Sequence, residues 1–340
     1  MDISAFCRQS RVLIVAGKGG VGKTTMVAAL AHMAGRAGLS VLVVELEGRP
    51  GVASAFGRTE PLEYAESVLR AAGALPDDGT GDDDEARTYP PGTVRARTIT
   101  PDDALLEYLA DHGLKRVSKR LVSSGIVDIV SGAIPGIRDI LVLGKVKQLE
   151  RSGSADLILV DAPATGHTLT FLSSAGGLVD VARGGPIRAQ AAEVVELLSD
   201  PARCQVALVT LPEEMPVNEV IEAAYLLEDK VGIALGPVIV NSCYPAMDGF
   251  DAPADEAVRH AGAELDPTLV SALEKARVFR RTRQQLQSGQ IDRLAHELPL
   301  PQLQVPFLFA DTMGPGQLDE LSDALAVGIE SLADPSPVAS

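Results

Sequence analysis

Short aliphatic and β-branched runs recur along the chain, at Val12 to Val15, Val41 to Val44, Leu157 to Val160, Val206 to Val209 and Val238 to Val240, and a helical pattern follows each. These runs are apolar at every position instead of alternating, which predicts strands buried on both faces. Strand and helix in repetition predict an α/β fold of three layers, a mostly parallel central sheet of roughly seven or eight strands with right-handed crossovers and helices on both sides.

Two stretches break the rhythm. Residues 73 to 92 are rich in Asp, Gly and Pro and read as an acidic loop without fixed structure. Residues 102 to 150 lack strand character and read as an inserted helical subdomain, interrupted at Ala133-Ile134-Pro135-Gly136, where Pro cannot continue a helix. The expected organisation is one domain over residues 1–332, followed by a frayed tail at 333–340 that carries two prolines and two serines. There is no internal repeat.

Composition narrows the class. Hydrophobic residues make up 46% and charged residues 22%, ordinary globular values, while aromatics are only 4%, so the core is built from Ala, Val, Leu and Ile. A formal charge of −16 without a basic stripe argues against nucleic acid and anionic lipid as partners. The three cysteines, Cys7, Cys204 and Cys243, lie far apart with no C-x-x-C spacing. They predict neither a disulfide framework nor a zinc site, and fit a reducing cytoplasm. No stretch approaches the roughly 20 apolar residues of a membrane span, and no basic-then-apolar leader opens the chain, so a soluble, untargeted protein is expected.

The sharpest chemical signal is Ala16-Gly17-Lys18-Gly19-Gly20-Val21-Gly22-Lys23-Thr24-Thr25, directly after the first strand and opening a helix. This is the context of a phosphate loop. Its glycines let successive backbone N–H groups turn inward around phosphates, and the helix N-terminus adds the positive end of its dipole. Lys23 is assigned to the terminal phosphates of ATP and the Thr24 hydroxyl to Mg²⁺, a hard ion that takes oxygen ligands. Lys18 is not needed by an ordinary phosphate loop. The G-K-G-G-x-G-K-[ST] form resembles the deviant Walker A of the signal-recognition, MinD and BioD superclass, which implies a lysine that reaches a phosphate across a dimer interface, as an arginine finger would. A solvated lysine beside the phosphate is the competing reading.

The second signal is Asp161-Ala162-Pro163-Ala164-Thr165-Gly166-His167-Thr168, at the end of the strand Leu157 to Val160. An acid at a strand's C-terminal edge can hold a Mg²⁺-bound water, and the Gly and Pro behind it allow a loop to rearrange when the terminal phosphate leaves. His167 reads as a structural hydrogen-bonder more than a proton carrier. The segment resembles the D-T-A-P-T-G-H-T switch of the ArsA family, the anion-pump and Get-type targeting ATPases. Further stretches agree: Pro135-Gly136-Ile137-Arg138-Asp139 resembles the family's P-G-I-x-E, and the run from Leu211 to Glu219 resembles its P-E-E-M-P-V-x-E. Asn241 matches the asparagine that reads adenine in that family, and Pro306 and Phe307 fall where its adenine-covering loop lies. The resemblance runs from about residue 10 to 310, its two phosphate motifs being the specific ones. It implies ATP and Mg²⁺ as cofactors, with Gly17, Lys18, Gly19, Gly20, Val21, Gly22, Lys23, Thr24, Thr25, Asn241, Pro306 and Phe307 at the nucleotide. Lys18, Lys23, Glu47 and Asp161 are the expected catalytic set, with Thr24 and Asp161 at the metal.

The departures carry information too. The family's first switch begins D-P-A-H, its Asp positioning the attacking water; here the register gives Glu47-Gly48-Arg49-Pro50, a carboxylate one methylene longer. Glu45, two residues earlier on the same strand face, competes for the role, and both glutamates could simply line a polar strand end. The clustered cysteines that hold arsenite or zinc in relatives have no equivalent, so arsenite pumping is not expected. The chain is half the length of the tandem-duplicated pump subunits, which requires two chains to pair as a homodimer or as a heterodimer with a paralogous ATPase.

The apolar positions between Leu114 and Leu149 could pool in a dimer into a groove for an apolar helix of a membrane-protein client, or pack onto their own sheet. The expected output is a targeting, chaperone or transport-coupling step. The alternatives are a MinD- or ParA-like spatial regulator, against which the acidic charge counts, a weakly hydrolysing nucleotide switch, a phosphoryl transferase, and an iron–sulfur reductase, for which no suitably placed cysteines exist.

Overall fold

A computed structural model describes residues 1–46, 51–73, 89–111, 136–247 and 250–333. Among the described residues eight strands form one sheet: β1 (Val12–Gly17), β2 (Val41–Glu45), β3 (Ser67–Arg70), β4 (Val94–Thr98), β5 (Leu157–Ala164), β6 (Cys204–Thr210), β7 (Ala234–Cys243) and β8 (Gln302–Pro306). Their order is β3-β4-β2-β5-β1-β6-β7-β8, and every pairing is parallel except that of the edge strand β3 with β4. The mostly parallel three-layer fold expected from the sequence is the one found.

Side-chain alternation across the pleat divides the core in two. Leu13, Val15, Val41, Val43, Leu159 and Val209 face α1 (Ile3–Cys7), α2 (Lys23–Arg36), the short α3 (Gly51–Ala55) and the C-terminal helix α11 (Pro315–Glu330). Ile14, Ala16, Val44, Ile158, Val160, Leu208 and Val240 face α5 (Ile137–Ser152), α6 (Thr165–Val181), α7 (Pro186–Ser199) and α8 (Glu214–Val231). Two further helices, α9 (Ala254–His260) and the long α10 (Pro267–Glu297), fill the connection from β7 to β8. Among the described residues no helix is long and apolar enough to cross a membrane.

The stretch between β4 and β5 is helical in its described parts, α4 (Pro101–Asp111) and α5. The apolar positions from Val117 to Ile134, with the expected break at Ala133 to Pro135, lie outside the described residues. In α5, Ile140, Leu141, Leu143 and Val146 are buried in the chain's own core. Gly136 caps this helix at φ +79°, and a Cβ there would come within 3.1 Å of Ser174 Cβ, so close packing of α5 on α6 and a left-handed backbone both require glycine.

The acidic stretch needs a correction at its end. Residues 74–88 lie outside the described ones, but residues 89–92 are placed. The Arg95 guanidinium lies 4.0 Å from the Tyr89 ring centroid, and the Gly92 N–H donates to Leu39 O at 3.2 Å. An aromatic side chain against a cation, with a backbone bond to the turn that precedes β2, was not legible in a run dominated by Asp, Gly and Pro. The tail from residue 334 on also lies outside the described residues.

Candidate functional site

The parallel strands β1, β2 and β5 end side by side, and their carboxyl edge is where an open α/β sheet presents its ligand site. The loop from Lys18 to Gly22 leaves β1 there and runs into α2 at Lys23. Gly20 and Gly22 adopt φ of +87° and +92°, which turns the chain tightly enough to aim the loop amides inward. Gly17 is constrained differently: a Cβ would stand 2.4 Å from the Val209 carbonyl oxygen of β6, which the sheet ladder holds in place. The Lys23 ammonium closes the turn by donating to Lys18 O at 3.2 Å. Val21 is buried beneath the loop, and its carbonyl accepts a 2.9 Å bond from Asn241 Nδ2. Thr25 continues α2.

A cleft of about 520 Å³ opens over this loop, lined among others by Lys23, Thr24, Glu45, Asp161, Pro163 and His167. The Thr24 hydroxyl donates to Asp161 Oδ2 at 2.6 Å, so the two residues expected at a metal already converge. Glu45 ends β2 in register with Asp161 and is only 3% exposed. Its Oε1 accepts the Val52 N–H at 3.0 Å, and burial, partly offset by that bond and reinforced by the Asp161 charge, raises its pKa to about 7. Glu47 lies outside the described residues. Lys18 stands at the rim and is paired with Glu219 of α8 in the same chain.

The segment after Asp161 is not a loop here. β5 continues to Ala164 and α6 begins at Thr165, and the Thr168 hydroxyl of its first turn donates to the Pro163 carbonyl across the junction.

On the far side of Asn241 lies an aromatic cluster that only partly shows in the sequence. Phe307, following Pro306 at the end of β8, donates its N–H to Cys243 O at 2.8 Å and packs with Tyr244 and Phe309 at centroid distances of 5.3 and 4.8 Å. Arg280 of α10 stands over Tyr244 at 5.2 Å. The buried Gln287 clamps the turn between β7 and this cluster, accepting from Tyr244 N at 2.8 Å and donating to Ser242 O at 3.1 Å. That clamp lets Ser242 hold φ +62°, and its N–H donates to Asn241 Oδ1 at 2.8 Å. Gln287 and Arg280 reach Ser242 and Tyr244 from more than 35 residues away on a helix with no motif, so no local signal could have found them. The three cysteines sit apart on α1, β6 and β7, and burial pushes the Cys7 and Cys243 thiols up to about 12 and about 11.

A phosphate loop at the first strand, with one acid near the carboxyl end of the adjacent strand β5 and another ending β2 beyond it, defines a P-loop nucleotide-binding protein. Residues 12–121 match the CobQ/CobB/MinD/ParA nucleotide binding domain family and residues 106–180 match the anion-transporting ATPase family. The chain is 34% identical over 335 residues to the ATPase BagA of Mycobacterium tuberculosis, covering 93% of this chain and 92% of that one. It is similar to the arsenical pump-driving ATPase of Escherichia coli, at 27% identity over 70% of this chain and 35% of the pump ATPase. It also resembles ATPase get3 of Schizosaccharomyces japonicus, at 29% identity over 47% of this chain and 43% of that protein. The chain belongs to the ArsA-type family of P-loop ATPases, and it is an ATPase.

Proposed function

We propose that the chain binds ATP with Mg²⁺ in the cleft over Gly17 to Thr25 and hydrolyses it to switch a dimer between two shapes, in the cytoplasm, driving a targeting, chaperone or transport-coupling step. The observation that carries this reading is the convergence of Lys23, Thr24, Asp161 and the positive-φ glycines on one cleft. The donor set suits the ion: a hydroxyl and a carboxylate 2.6 Å apart offer the hard oxygens that Mg²⁺ takes, few enough for it to keep waters and phosphate oxygens. Thr24 would ligate directly and Asp161 through water, and the ion would neutralise charge on the terminal phosphates. Glu47 orients the attacking water, and its extra methylene makes turnover slow. Asn241, Pro306 and Phe307 take the adenine.

Lys18 is the dimer element of this reading. Its pair with Glu219 must open before its ammonium reaches a phosphate bound to a second chain. The partner is a second copy or a paralogous subunit, and the two are separated by size measurement with ATP and Mg²⁺, on the chain alone and mixed with a paralogue. ATP-dependent doubling of mass is expected in one of the two. Lys23→Ala should abolish ATP binding and turnover, and a variant that binds ATP as the native chain does would refute the assigned site.

A further inference from the structure

One chain of hydrogen bonds runs from α10 through the end of β7 to the phosphate loop. It begins at Gln287, which is 6% exposed and uses both ends of its carboxamide: Oε1 accepts from Tyr244 N at 2.8 Å and Nε2 donates to Ser242 O at 3.1 Å. The side chain thus grips the backbone on either side of Cys243. Its orientation is dictated by its partners, since a backbone N–H requires the amide oxygen and a backbone carbonyl the amide nitrogen.

The gripped turn is strained. Ser242 is the residue other than glycine that holds a positive φ among the described residues, +62°, a conformation that costs an L-residue free energy and persists where its surroundings enforce it. In that conformation the Ser242 N–H meets Asn241 Oδ1 at 2.8 Å, while Asn241 Nδ2 donates to Val21 O of the phosphate loop at 2.9 Å. An asparagine amide is free to flip unless its neighbours forbid it, and these two contacts forbid it. Each end keeps one capacity, a second N–H on Nδ2 and a second lone pair on Oδ1, and Asn241 is only partly buried. A donor beside an acceptor complements N7 and the N6 amino group of adenine, whereas guanine presents two acceptors at N7 and O6.

We propose that Gln287 is a positioning residue for recognition of the base: by holding the turn at Ser242, it locks the Asn241 carboxamide in the orientation that accepts adenine and rejects guanine. The proposal rests on the assignment of adenine to Asn241 and deepens it. Its competitor is a structural amide that ties α10 to the sheet and has no bearing on the base. The two differ in base preference, which a loss of packing alone does not move.

The test uses the full chain and calorimetric titration of ADP, GDP and tripolyphosphate, the last reporting the phosphate loop without a base. Gln287→Met keeps the length of the side chain and removes both bonds. It should lower ADP affinity roughly 10-fold, the weight of about one hydrogen bond, and leave GDP and tripolyphosphate within about twofold of wild type, so the ADP-to-GDP ratio falls roughly 10-fold. A native ratio overturns the proposal, as does an equal loss for all three ligands. Should that variant not fold, Gln287→Glu serves. As a neutral acid at low pH it donates to Ser242 O, and as a carboxylate at high pH it cannot. Its ADP-to-GDP ratio, divided by that of wild type at the same pH, should fall between pH 5 and pH 9, and a flat quotient overturns the proposal. Asn241→Ala separates the two layers of the argument. If wild type shows no preference for ADP, or Asn241→Ala retains it, the adenine assignment fails; if Asn241→Ala loses the preference and the Gln287 variants keep it, only the role of Gln287 fails.

Discussion

Alanine at position 22 probes the brace between the phosphate loop and β7. Two costs can be worked from the structure. Gly22 has φ +92°, and an L-residue in the left-handed region loses about 1–2 kcal/mol. The added methyl carbon would also stand 2.4 Å from Asn241 Nδ2, well inside contact distance, so the amide must swing away and give up its 2.9 Å bond to Val21 O. That bond contributes about 0.5–1.5 kcal/mol net. Gly22→Ala should therefore lower stability by about 2–3 kcal/mol, which is about 1 M in urea midpoint for a slope of about 2–3 kcal/mol per M. Asn241→Ala alone removes this bond and the one that Oδ1 accepts from the Ser242 N–H, and should cost about 1–3 kcal/mol, the second loss being common to the single and double variants. In the double variant the obstacle is gone, and the total loss should fall short of the sum of the single losses by about 1 kcal/mol. Urea unfolding of the four proteins, followed by circular dichroism without nucleotide, measures the cycle. Additivity within about 0.3–0.5 kcal/mol would refute the contact between the asparagine and the loop.

Two further outcomes follow from the electrostatics. Burial holds the folded-state pKa of Glu45 at about 7, above its ordinary 4.5, so the stability tied to its proton is full below pH 4.5 and is lost as pH rises through 7. In nucleotide-free protein, Glu45→Gln should match wild type near pH 4.5 and exceed it at pH 8 by up to about 3 kcal/mol in urea unfolding; equal stability at both pH values would contradict the burial argument. Glu219→Gln frees Lys18 from its half-exposed pair, worth at most about 1 kcal/mol. The variant should keep its fold and tighten ATP-dependent association by up to about fivefold in sedimentation, and weaker association would mean that the pair helps Lys18 instead of restraining it.

The phosphate loop was readable because its chemistry is local: the spacing of Gly17, Gly20, Gly22, Lys23 and Thr24, with a strand before and a helix after, nearly prescribes the backbone. The same holds for the sheet. Runs such as Val41 to Val44 leave no polar face to expose, so strands covered on both sides were the available solution, and the two core layers bear this out. The segment after Asp161 was less legible. Its Gly and Pro suggested a loop, but β5 runs on to Ala164 and a helix begins at once at Thr165, with the Thr168 hydroxyl donating back to Pro163 O.

What the sequence alone determined is therefore the class of fold and the kind of ligand, since both are written in periodicity and in one short motif. Tertiary structure decided which carboxylate is buried against the site, which residue braces the loop, and what surrounds Phe307. The sequence register favours Glu47 with Glu45 as its competitor, and only pairing of β2 with β5 sets Glu45 in register with Asp161. Asn241 meets Val21, and Gln287 clamps the turn at Ser242 and Tyr244, across 220 and about 45 residues of chain. Such contacts exist because the sheet order brings distant strand ends together, and no local pattern encodes that order.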